Sequence, residues 1–263
     1  MKPVYGPIDS WQFGRAIGVD LVSVGKYCTF DCVYCPVKGY TRQAHKRLWF
    51  VGGEALQAGL EYAQYEDADC VAFAGTGEPT LASNLGAAID LAKSVLGLPV
   101  VVCTNSSLLP RDDVRQDLAK ADTVVAKLDA PNGDLFRVIN GPQPPHCFDE
   151  VIDGLRSFRA EYNGDLVLQV TIIDANKRAA AEIAAVARTL SPSKVQLNTP
   201  WLCSTNIDRL SEMEEVCGHF ADLPVERWPH NRESAPSFPA IHWSDRTRAN
   251  ARVMLMPFTD DVD

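Results

Sequence analysis

The sequence lacks any run of about 18 consecutive apolar residues, the length that a membrane-spanning helix needs. We therefore predict a chain that does not cross a bilayer. The first twenty residues also lack an unbroken apolar stretch, because Pro3, Pro7, Asp9 and Arg15 interrupt them. A secretory signal peptide requires such a stretch, so the sequence favours a cytoplasmic protein.

Positive charge is scarce as well. The 263 residues include 25 Lys and Arg against 34 Asp and Glu, a formal net charge of -9. Binding to nucleic acid depends on cations that neutralise phosphates, so sequence-independent binding is disfavoured. Binding to RNA would require the few Lys and Arg side chains to be clustered on one face of the protein. The most basic stretch is Arg42–Arg47, which can serve an anionic substrate or an acidic electron donor, or be a solvated surface segment.

Short β-branched runs alternate with longer amphipathic stretches from Gly18 to Thr199. This pattern predicts six strand–helix units around a parallel sheet, in either a barrel or a doubly wound sheet. The predicted strands are Val19–Val24, Cys70–Ala74, Val100–Cys103, Thr123–Leu128, Leu166–Ile173 and Lys194–Leu197. The predicted helices between them are Gly53–Tyr65, Ala82–Leu96, Pro110–Ala119, Phe148–Tyr162 and Ala179–Leu190.

The alternation stops after Thr199. One helix-like segment, Ile207–Phe220, precedes a stretch rich in proline and tryptophan. The length suits one domain, so we predict a single domain over 1–263. Its core covers about residues 15–200, and an irregular C-terminal closing element covers about residues 201–263.

Cys28, Cys32 and Cys35 form a C-x-x-x-C-x-x-C pattern, here called the cysteine loop (residues 28–35). Without a secretory signal, cysteines indicate ligands or buried thiols before disulfides. Thiolates at this spacing select zinc or an iron–sulfur cluster. A structural zinc site needs four ligands, and the nearest fourth candidate is His45. One interpretation is a zinc-stabilised binding module. The other is a 4Fe–4S cluster with one iron left open for a substrate or cofactor.

The remaining five cysteines lack ligand spacing, and buried thiols are the default for them. They are Cys70, Cys103, Cys147, Cys203 and Cys217. For Cys203, a role as a catalytic thiol or as a ligand of a second cluster stays open, since this residue follows the sixth predicted strand.

With Tyr34 just before its third cysteine, the cysteine loop resembles that of radical S-adenosylmethionine (SAM) enzymes. Other segments look like a group of these enzymes related to wyosine-type tRNA synthases, over about residues 5–200. They are Tyr5-Gly6-Pro7, Gly14-Arg15, Gly18-Val19-Asp20, Gly75-Thr76-Gly77-Glu78-Pro79-Thr80-Leu81, Leu128-Asp129-Ala130, Phe136, Ile139-Asn140 and Val195-Gln196-Leu197-Asn198-Thr199. The resemblance implies an α/β fold, a partial (β/α)6 barrel, with a 4Fe–4S cluster on Cys28, Cys32 and Cys35.

SAM is the second cofactor that the resemblance implies, and a one-electron donor such as flavodoxin or ferredoxin is the implied partner. The expected reaction is reductive cleavage of SAM to methionine and a 5′-deoxyadenosyl radical, which abstracts hydrogen from a substrate. The catalytic residues stay unknown. Residues expected at the SAM site are Tyr34, Gly75, Thr76, Gly77, Glu78, Asn105, Lys127 and Asp129.

The segment Gly75-Thr76-Gly77-Glu78 is similar to the one that binds the methionine amino group of SAM in this family. A valine at Gly77 is therefore predicted to weaken SAM binding while leaving the cluster intact. An ordinary strand–helix turn, with Glu78 as a helix-start carboxylate, is the alternative.

Polar residues after parallel strands face the ligand crevice, so Asn105, Lys127 and Asp129 are candidates for the ribose hydroxyls and carboxylate of SAM. With the right strand register, Gln169 on the fifth predicted strand faces the same opening; the favoured alternative is that it satisfies buried backbone groups. The alternatives are a helix-capping role for Asn105 and a local ion pair between Lys127 and Asp129.

Two departures from the resembled group concern the substrate. Ser10-Trp11-Gln12 stands where the group has Ser-Arg-Arg, and Trp201-Leu202-Cys203 stands where it has Arg-Pro-Pro. Both replace arginine, a favoured phosphate contact. No cysteine precedes Cys28 to bind a second cluster. We therefore predict a metabolite or peptide side chain as substrate, with tRNA modification as the alternative.

Overall fold

The computed structural model describes residues 2–23, 25–35, 37, 42–44, 46–63, 67–199 and 207–227, with the backbone alone at 42–43 and 207–210. His45, the segment 201–203 and the tail from 228 onward lie outside these residues. The predictions for the fourth zinc ligand, for Cys203 and for most of the closing element therefore fall outside the described part of the chain.

Eight strands form one sheet, an open and curled half-barrel. The strands of the protein are β1 Val4–Ser10, β2 Gly14–Val19, β3 Tyr27–Cys28, β4 Arg42–Gln43, β5 Cys70–Phe73, β6 Val100–Thr104, β7 Thr123–Lys127, β8 Asp165–Thr171, β9 Lys194–Asn198 and β10 Val225–Arg227. The sheet order is β1-β2-β5-β6-β7-β8-β9-β10, with β1 and β2 antiparallel and the other neighbours parallel. Strands β3 and β4 pair separately. The predicted α/β partial barrel is confirmed.

Helices connect the parallel strands. They are α1 Gly53–Glu61, α2 Leu85–Leu96, α3 Asp112–Leu118, α4 Gly133–Asn140, α5 Phe148–Glu161, α6 Ala180–Thr189 and α7 Ile207–Gly218. Within the described ranges, no helix combines the length and the apolar character that crossing a membrane requires.

Both faces of the sheet are buried. Phe73 belongs to the main core with side chains of the surrounding helices, whereas Ala72 belongs to a smaller cluster on the opposite face. Successive side chains of a strand point to opposite faces, so burial of both faces explains the continuous apolar runs in the sequence.

The first predicted strand is wrong in its position. The strand is β2, and residues 20–23, which were predicted to continue it, form a buried turn instead. Strand β2 carries Gly18 because the ring of Tyr5 lies against it: a Cβ atom on Gly18 would stand 2.2 Å from a ring carbon of Tyr5. Glycine in a strand lowers its β-propensity, and this hid β2 and its partner β1.

Two more elements were missed. Helix α4 lies in the crossover between β7 and β8, where the sequence analysis placed one helix. Strand β10 pairs in parallel with β9 beyond Thr199, so the sheet extends into the segment that was predicted to be irregular. The other five predicted strands and the predicted helices match the structure within a few residues.

Arg47 connects the chain after the cysteine loop to the helical layer. Its side chain is 9% exposed and forms ion pairs with Asp113 at 2.9 Å and with Asp117. It also donates to the carbonyl oxygens of Thr80 at 3.0 Å and Ala82 at 2.8 Å. Within the basic stretch 42–47, Arg47 therefore serves the fold, and it is not available to an anionic substrate.

Replacing Arg47 by Ala is expected to lower the free energy of unfolding by about 3 kcal/mol, because it removes a largely buried charge and its hydrogen bonds. Lys120→Ala is the matched control, since the pair of Lys120 with Asp90 is half-exposed and should contribute less than about 1 kcal/mol. Urea denaturation measures both. Equal losses in the two variants would contradict this role of Arg47.

Candidate cofactor site

The cysteine loop follows β2 and is docked on the C-terminal end of α4. Phe30 is buried and contacts the ring of Phe136 edge-on, with 5.2 Å between the centroids. The backbone N–H of Asp31 donates to the carbonyl of Asn140 at 3.0 Å, and that of Val33 donates to Ile139 at 2.9 Å. A helix end with free carbonyls thus receives the loop. Helix α4 therefore holds the middle of the loop, around Cys32, in place.

All three thiols are free and half-buried. The side-chain amide of Asn105 lies 3.5 Å from the sulfur of Cys28, and that of Asn140 lies 3.5 Å from the sulfur of Cys32. Burial, with a smaller effect of Asp129, raises the pKa of Cys32 to about 11. Burial also raises the pKa of Cys28. Thiolates here need a cationic partner, and bound metal supplies one.

The donor set therefore fits a thiolate-bound metal group. Among the described residues, no three His, Cys, Asp or Glu side chains stand close enough to hold a single metal ion. An iron–sulfur cluster binds its cysteines through different irons, and three cysteines in one short loop are a donor set that such a cluster can use.

The turn at residues 75–78, here called the glycine turn, follows β5 and packs against the segment between β2 and the cysteine loop. A Cβ atom on Gly75 would lie 2.2 Å from the carboxyl carbon of Asp20, and one on Gly77 would lie 1.9 Å from the carbonyl oxygen of Tyr27. Both glycines are therefore needed for contacts within the protein. The predicted separation of SAM binding from cluster binding at Gly77 stays a prediction. Because Tyr27 adjoins Cys28, we expect a side chain at Gly77 to disturb the cysteine loop as well.

Asp20 fixes the start of the glycine turn. Its buried carboxylate accepts hydrogen bonds from the backbone N–H of Thr76 at 3.0 Å, the hydroxyl of Thr76 at 2.9 Å and the N–H of Val22 at 3.0 Å. Burial raises the pKa of Asp20, and these hydrogen bonds oppose the rise. The sequence analysis gave Asp20 no role.

Glu78 ends the glycine turn, and its carboxylate is bound by donors of the protein itself. Its carboxylate accepts from the N–H of Thr80 at 3.0 Å and the hydroxyls of Thr80 at 2.6 Å and Thr104 at 2.7 Å. It also accepts from the N–H of Asn105 at 2.7 Å. Burial raises its pKa despite these donors. Glu78 thus caps the short 3₁₀ helix Pro79–Leu81, as the alternative interpretation described.

The chain after β6 clamps the cysteine loop. The carbonyl oxygen of the Asn105 side chain accepts from the N–H of Ser107 at 3.0 Å, and its amide donates to the hydroxyl of Thr29 at 2.8 Å. The hydroxyls of Thr29 and Ser107 lie 2.6 Å apart. Ser106, which lies between Asn105 and Ser107 in the sequence, has φ 71°. This backbone conformation costs energy in a non-glycine residue and is concentrated at functional sites.

Lys127 lies among polar and aromatic groups at the end of β7. Its ammonium is 3.2 Å from the carboxylate of Asp129 and 3.2 Å from the side-chain oxygen of Gln169, and it donates to the hydroxyl of Thr171. It also stands 5.0 Å from the ring centroid of Tyr34, within the range of a cation–π interaction. The ion pair that the sequence analysis kept as an alternative is present.

Asp129 is the centre of this network, and its side chain has no exposed surface. Besides Lys127, one oxygen accepts from the N–H of Thr171 at 2.7 Å. The other oxygen accepts from the amide of Asn140 at 2.9 Å and from the hydroxyl of Tyr34. Asp129 therefore connects two strand ends with the cysteine loop and with α4.

The structure brings all the predicted site residues together at the carboxyl ends of β2, β5, β6 and β7. The sequence analysis gave no role to Asp20, Thr29 and Asn140. Asp20 and Asn140 stand in segments that carry the family resemblance, and Asn140 also closes a helix before Gly141, whose φ of 51° is typical of a C-terminal cap.

A half-barrel with three cysteines beyond the carboxyl ends of its strands is an arrangement that suits an iron–sulfur enzyme. A model described as the Radical SAM superfamily matches residues 22–187. The chain belongs to the radical SAM superfamily. It is an enzyme, and the cofactors of its family are a 4Fe–4S cluster and SAM.

The curated relatives include UPF0026 proteins. One from Synechocystis sp. is 32% identical over 199 residues, covering 75% of each chain. One from Methanocaldococcus jannaschii is 31% identical over 207 residues, covering 76% of this chain and 64% of the relative. The structure of Streptococcus suis SuiB bound to S-adenosylmethionine has a TM-score of 0.60 at 14% identity. The match covers 81% of this chain and half of that one.

Proposed function

We propose that Cys28, Cys32 and Cys35 hold the 4Fe–4S cluster and that SAM binds between the cysteine loop and the glycine turn. The observation that carries this proposal is the docking of the loop on the chain after β5, on the chain after β6 and on the end of α4. The contacts are made through Tyr27, Asn105 and Asn140. When bound, the cluster and SAM supply reductive cleavage of SAM to methionine and a 5′-deoxyadenosyl radical that abstracts hydrogen from the substrate.

The chain supplies acceptors for SAM. Among the described residues, no donor bonds to the backbone carbonyl oxygens of Gly75, Thr76 and Gly77. These oxygens are available to an amino group, while the Glu78 carboxylate is held by four donors of the protein. In this proposal the carbonyls bind the amino group of SAM, and Glu78 acts by shaping the turn.

Lys127 and Asn105 supply donors at the same edge. Lys127 is 17% exposed in its side chain, and Asp129, Gln169 and Thr171 hold its ammonium in place. A fixed cation favours a carboxylate ligand. In this proposal Lys127 binds the carboxylate of SAM, and Asn105 lines the pocket next to the cluster, where its amide faces Cys28.

The proposed substrate is a metabolite or a peptide side chain. Cations described around the loop are few and already engaged: Lys26 pairs with Asp31 at 3.0 Å, and Lys127 is assigned to the carboxylate of SAM. They leave little positive charge for an extended phosphate backbone. The neutral residues at 11–12 carry less weight than the sequence suggested. They lie in the β1–β2 turn, at the opposite end of the sheet from the cysteine loop.

The test uses the anaerobically reconstituted chain, SAM and dithionite. We expect 5′-deoxyadenosine and methionine in equal amounts, measured by liquid chromatography and mass spectrometry. With deuterium-labelled candidate metabolites and peptides, the true substrate transfers label into 5′-deoxyadenosine. A chain that holds stoichiometric zinc and cannot be loaded with iron and sulfide would refute the proposal and favour the binding module.

Folded tRNA serves as the competing substrate. We expect weak binding that tRNA sequence does not change, and no stimulation of SAM cleavage. Salt-sensitive, tight binding together with tRNA-stimulated cleavage would overturn the substrate proposal and favour RNA modification, since each phosphate contact adds to the salt dependence.

A further inference from the structure

Two asparagine side chains direct their amide groups at two of the three cysteine sulfurs. Asn105, just after β6, lies 3.5 Å from Cys28, and Asn140, the last residue of α4, lies 3.5 Å from Cys32. Sulfur is large, so 3.5 Å between nitrogen and sulfur is a hydrogen-bond distance. The two donors come from separate elements of the fold and reach separate ligands.

The orientation of Asn140 is fixed by a carboxylate. Its amide nitrogen also donates to Asp129 at 2.9 Å. Rotating the side-chain amide by half a turn would place its oxygen against that carboxylate, so the nitrogen must face Asp129 and Cys32. The oxygen of Asn140 is buried and finds no partner among the described residues. An unsatisfied buried oxygen costs free energy, so the arrangement favours the donor end at the expense of the acceptor end.

The orientation of Asn105 is fixed in the same sense by the backbone. Its side-chain oxygen accepts from the N–H of Ser107 at 3.0 Å. A rotated amide would set a donor against that N–H. The nitrogen therefore faces Thr29, at 2.8 Å, and Cys28. Both asparagines present N–H groups, and not oxygen atoms, to sulfur.

We propose that Asn105 and Asn140 raise the reduction potential of the cluster, and that Asp129 acts as a positioning residue for Asn140. Hydrogen bonds to cysteine sulfur withdraw negative charge from the cluster and are one of the factors that set its potential. The reduced cluster carries one more electron than the oxidised one, so the donors stabilise the reduced form more. The inference rests on the proposed function, since it takes Cys28 and Cys32 as cluster ligands.

The test is an anaerobic redox titration of the reconstituted full chain without SAM, followed by electron paramagnetic resonance. The variants are Asn140→Leu and Asn105→Leu, which keep most of the side-chain volume and remove the donor. Each is expected to reduce the equilibrium constant for one-electron reduction by up to about tenfold. This corresponds to a potential about 59 mV more negative.

Asn84→Leu is the matched control. Asn84 is also buried, its amide donates to the carbonyl of Val51 at 3.0 Å, and its side-chain oxygen likewise has no partner in the described chain. The amide of Asn84 makes no contact with a cysteine among the described residues. We expect its substitution to leave the potential unchanged. An equal shift in this control would overturn the inference, because loss of packing would then explain the effect.

A second measurement uses the wild-type chain alone and so does not depend on folding of a variant. Asparagine labelled with ¹⁵N in the side-chain amide should give weak nitrogen couplings to the reduced cluster in pulsed electron paramagnetic resonance. Absent couplings, or unchanged potentials in both variants at full iron content, overturn the inference and leave the proposed function intact. A wild-type chain that assembles no cluster overturns the proposed function itself.

Discussion

Replacing Cys28, Cys32 and Cys35 together by Ala is expected to abolish the visible absorption of the anaerobically prepared protein. Iron and acid-labile sulfide should fall to background, and cleavage of SAM should stop. The physical reason is that the three thiolates are the cluster ligands in our proposal, and that the chain offers no other cysteine at ligand spacing. Absorption spectroscopy and iron analysis after reconstitution measure the loss.

Cys147→Ala is the control for this experiment. Cys147 is exposed and precedes α5, and its side chain makes no capping hydrogen bond. We expect the variant to bind iron as the wild type does. Stoichiometric iron in the triple variant would show that other groups hold the metal and would refute the assignment of the cysteines.

Parts of the fold were predictable because a strand buried on both faces has a continuous apolar run in its own sequence. Strands β6 and β7 are apolar on both faces, so their β-branched runs stand out between amphipathic helices. Strand β2 has no such run, since Gly18 makes room for the ring of Tyr5 from another strand. A contact of that kind cannot be read from either segment alone.

Helix α4 was missed although its ends carry recognisable signals. The side chain of Asn132 accepts hydrogen bonds from the N–H groups of Asp134 and Leu135, and Gly141 follows the last residue in a left-handed conformation. Capping asparagine and a C-terminal glycine are typical helix boundaries. The short length of α4, eight residues, left too few turns for periodicity to reveal it.

The candidate site was also predictable only in part: its local motif could be read from the sequence, and its long-range contacts could not. The three cysteines that we propose as ligands lie within eight residues, and their spacing predicts a metal group. The contacts that shape the rest of the site are distant in sequence: Asp20 bonds to Thr76 of the glycine turn across 56 positions, and Asn140 contacts Cys32 across 108. Spacing carries no information about such pairs, so only the fold could reveal them.

Gly77→Ala is expected to cost the protein both its cluster and about 3 kcal/mol of unfolding free energy, the upper part of the range for overpacking. A Cβ atom there would lie 1.9 Å from the carbonyl oxygen of Tyr27 and 2.8 Å from its carbonyl carbon. The obstacle is backbone, which cannot rotate away as a side chain can. That carbonyl also accepts from the N–H of Glu78 at 2.9 Å.

The displaced residue adjoins Cys28, so the disturbance reaches the cysteine loop directly. Gly53→Ala provides the control, since nothing lies within 4 Å of a Cβ atom on Gly53 at the start of α1. Alanine in a helix is favoured over glycine by roughly 0.5 to 1 kcal/mol, so this variant should bind iron normally and unfold no more easily. Iron content and urea denaturation distinguish the two variants. Normal iron binding and stability in Gly77→Ala, with loss of SAM affinity alone, would mean that the glycine turn faces SAM and does not support the loop.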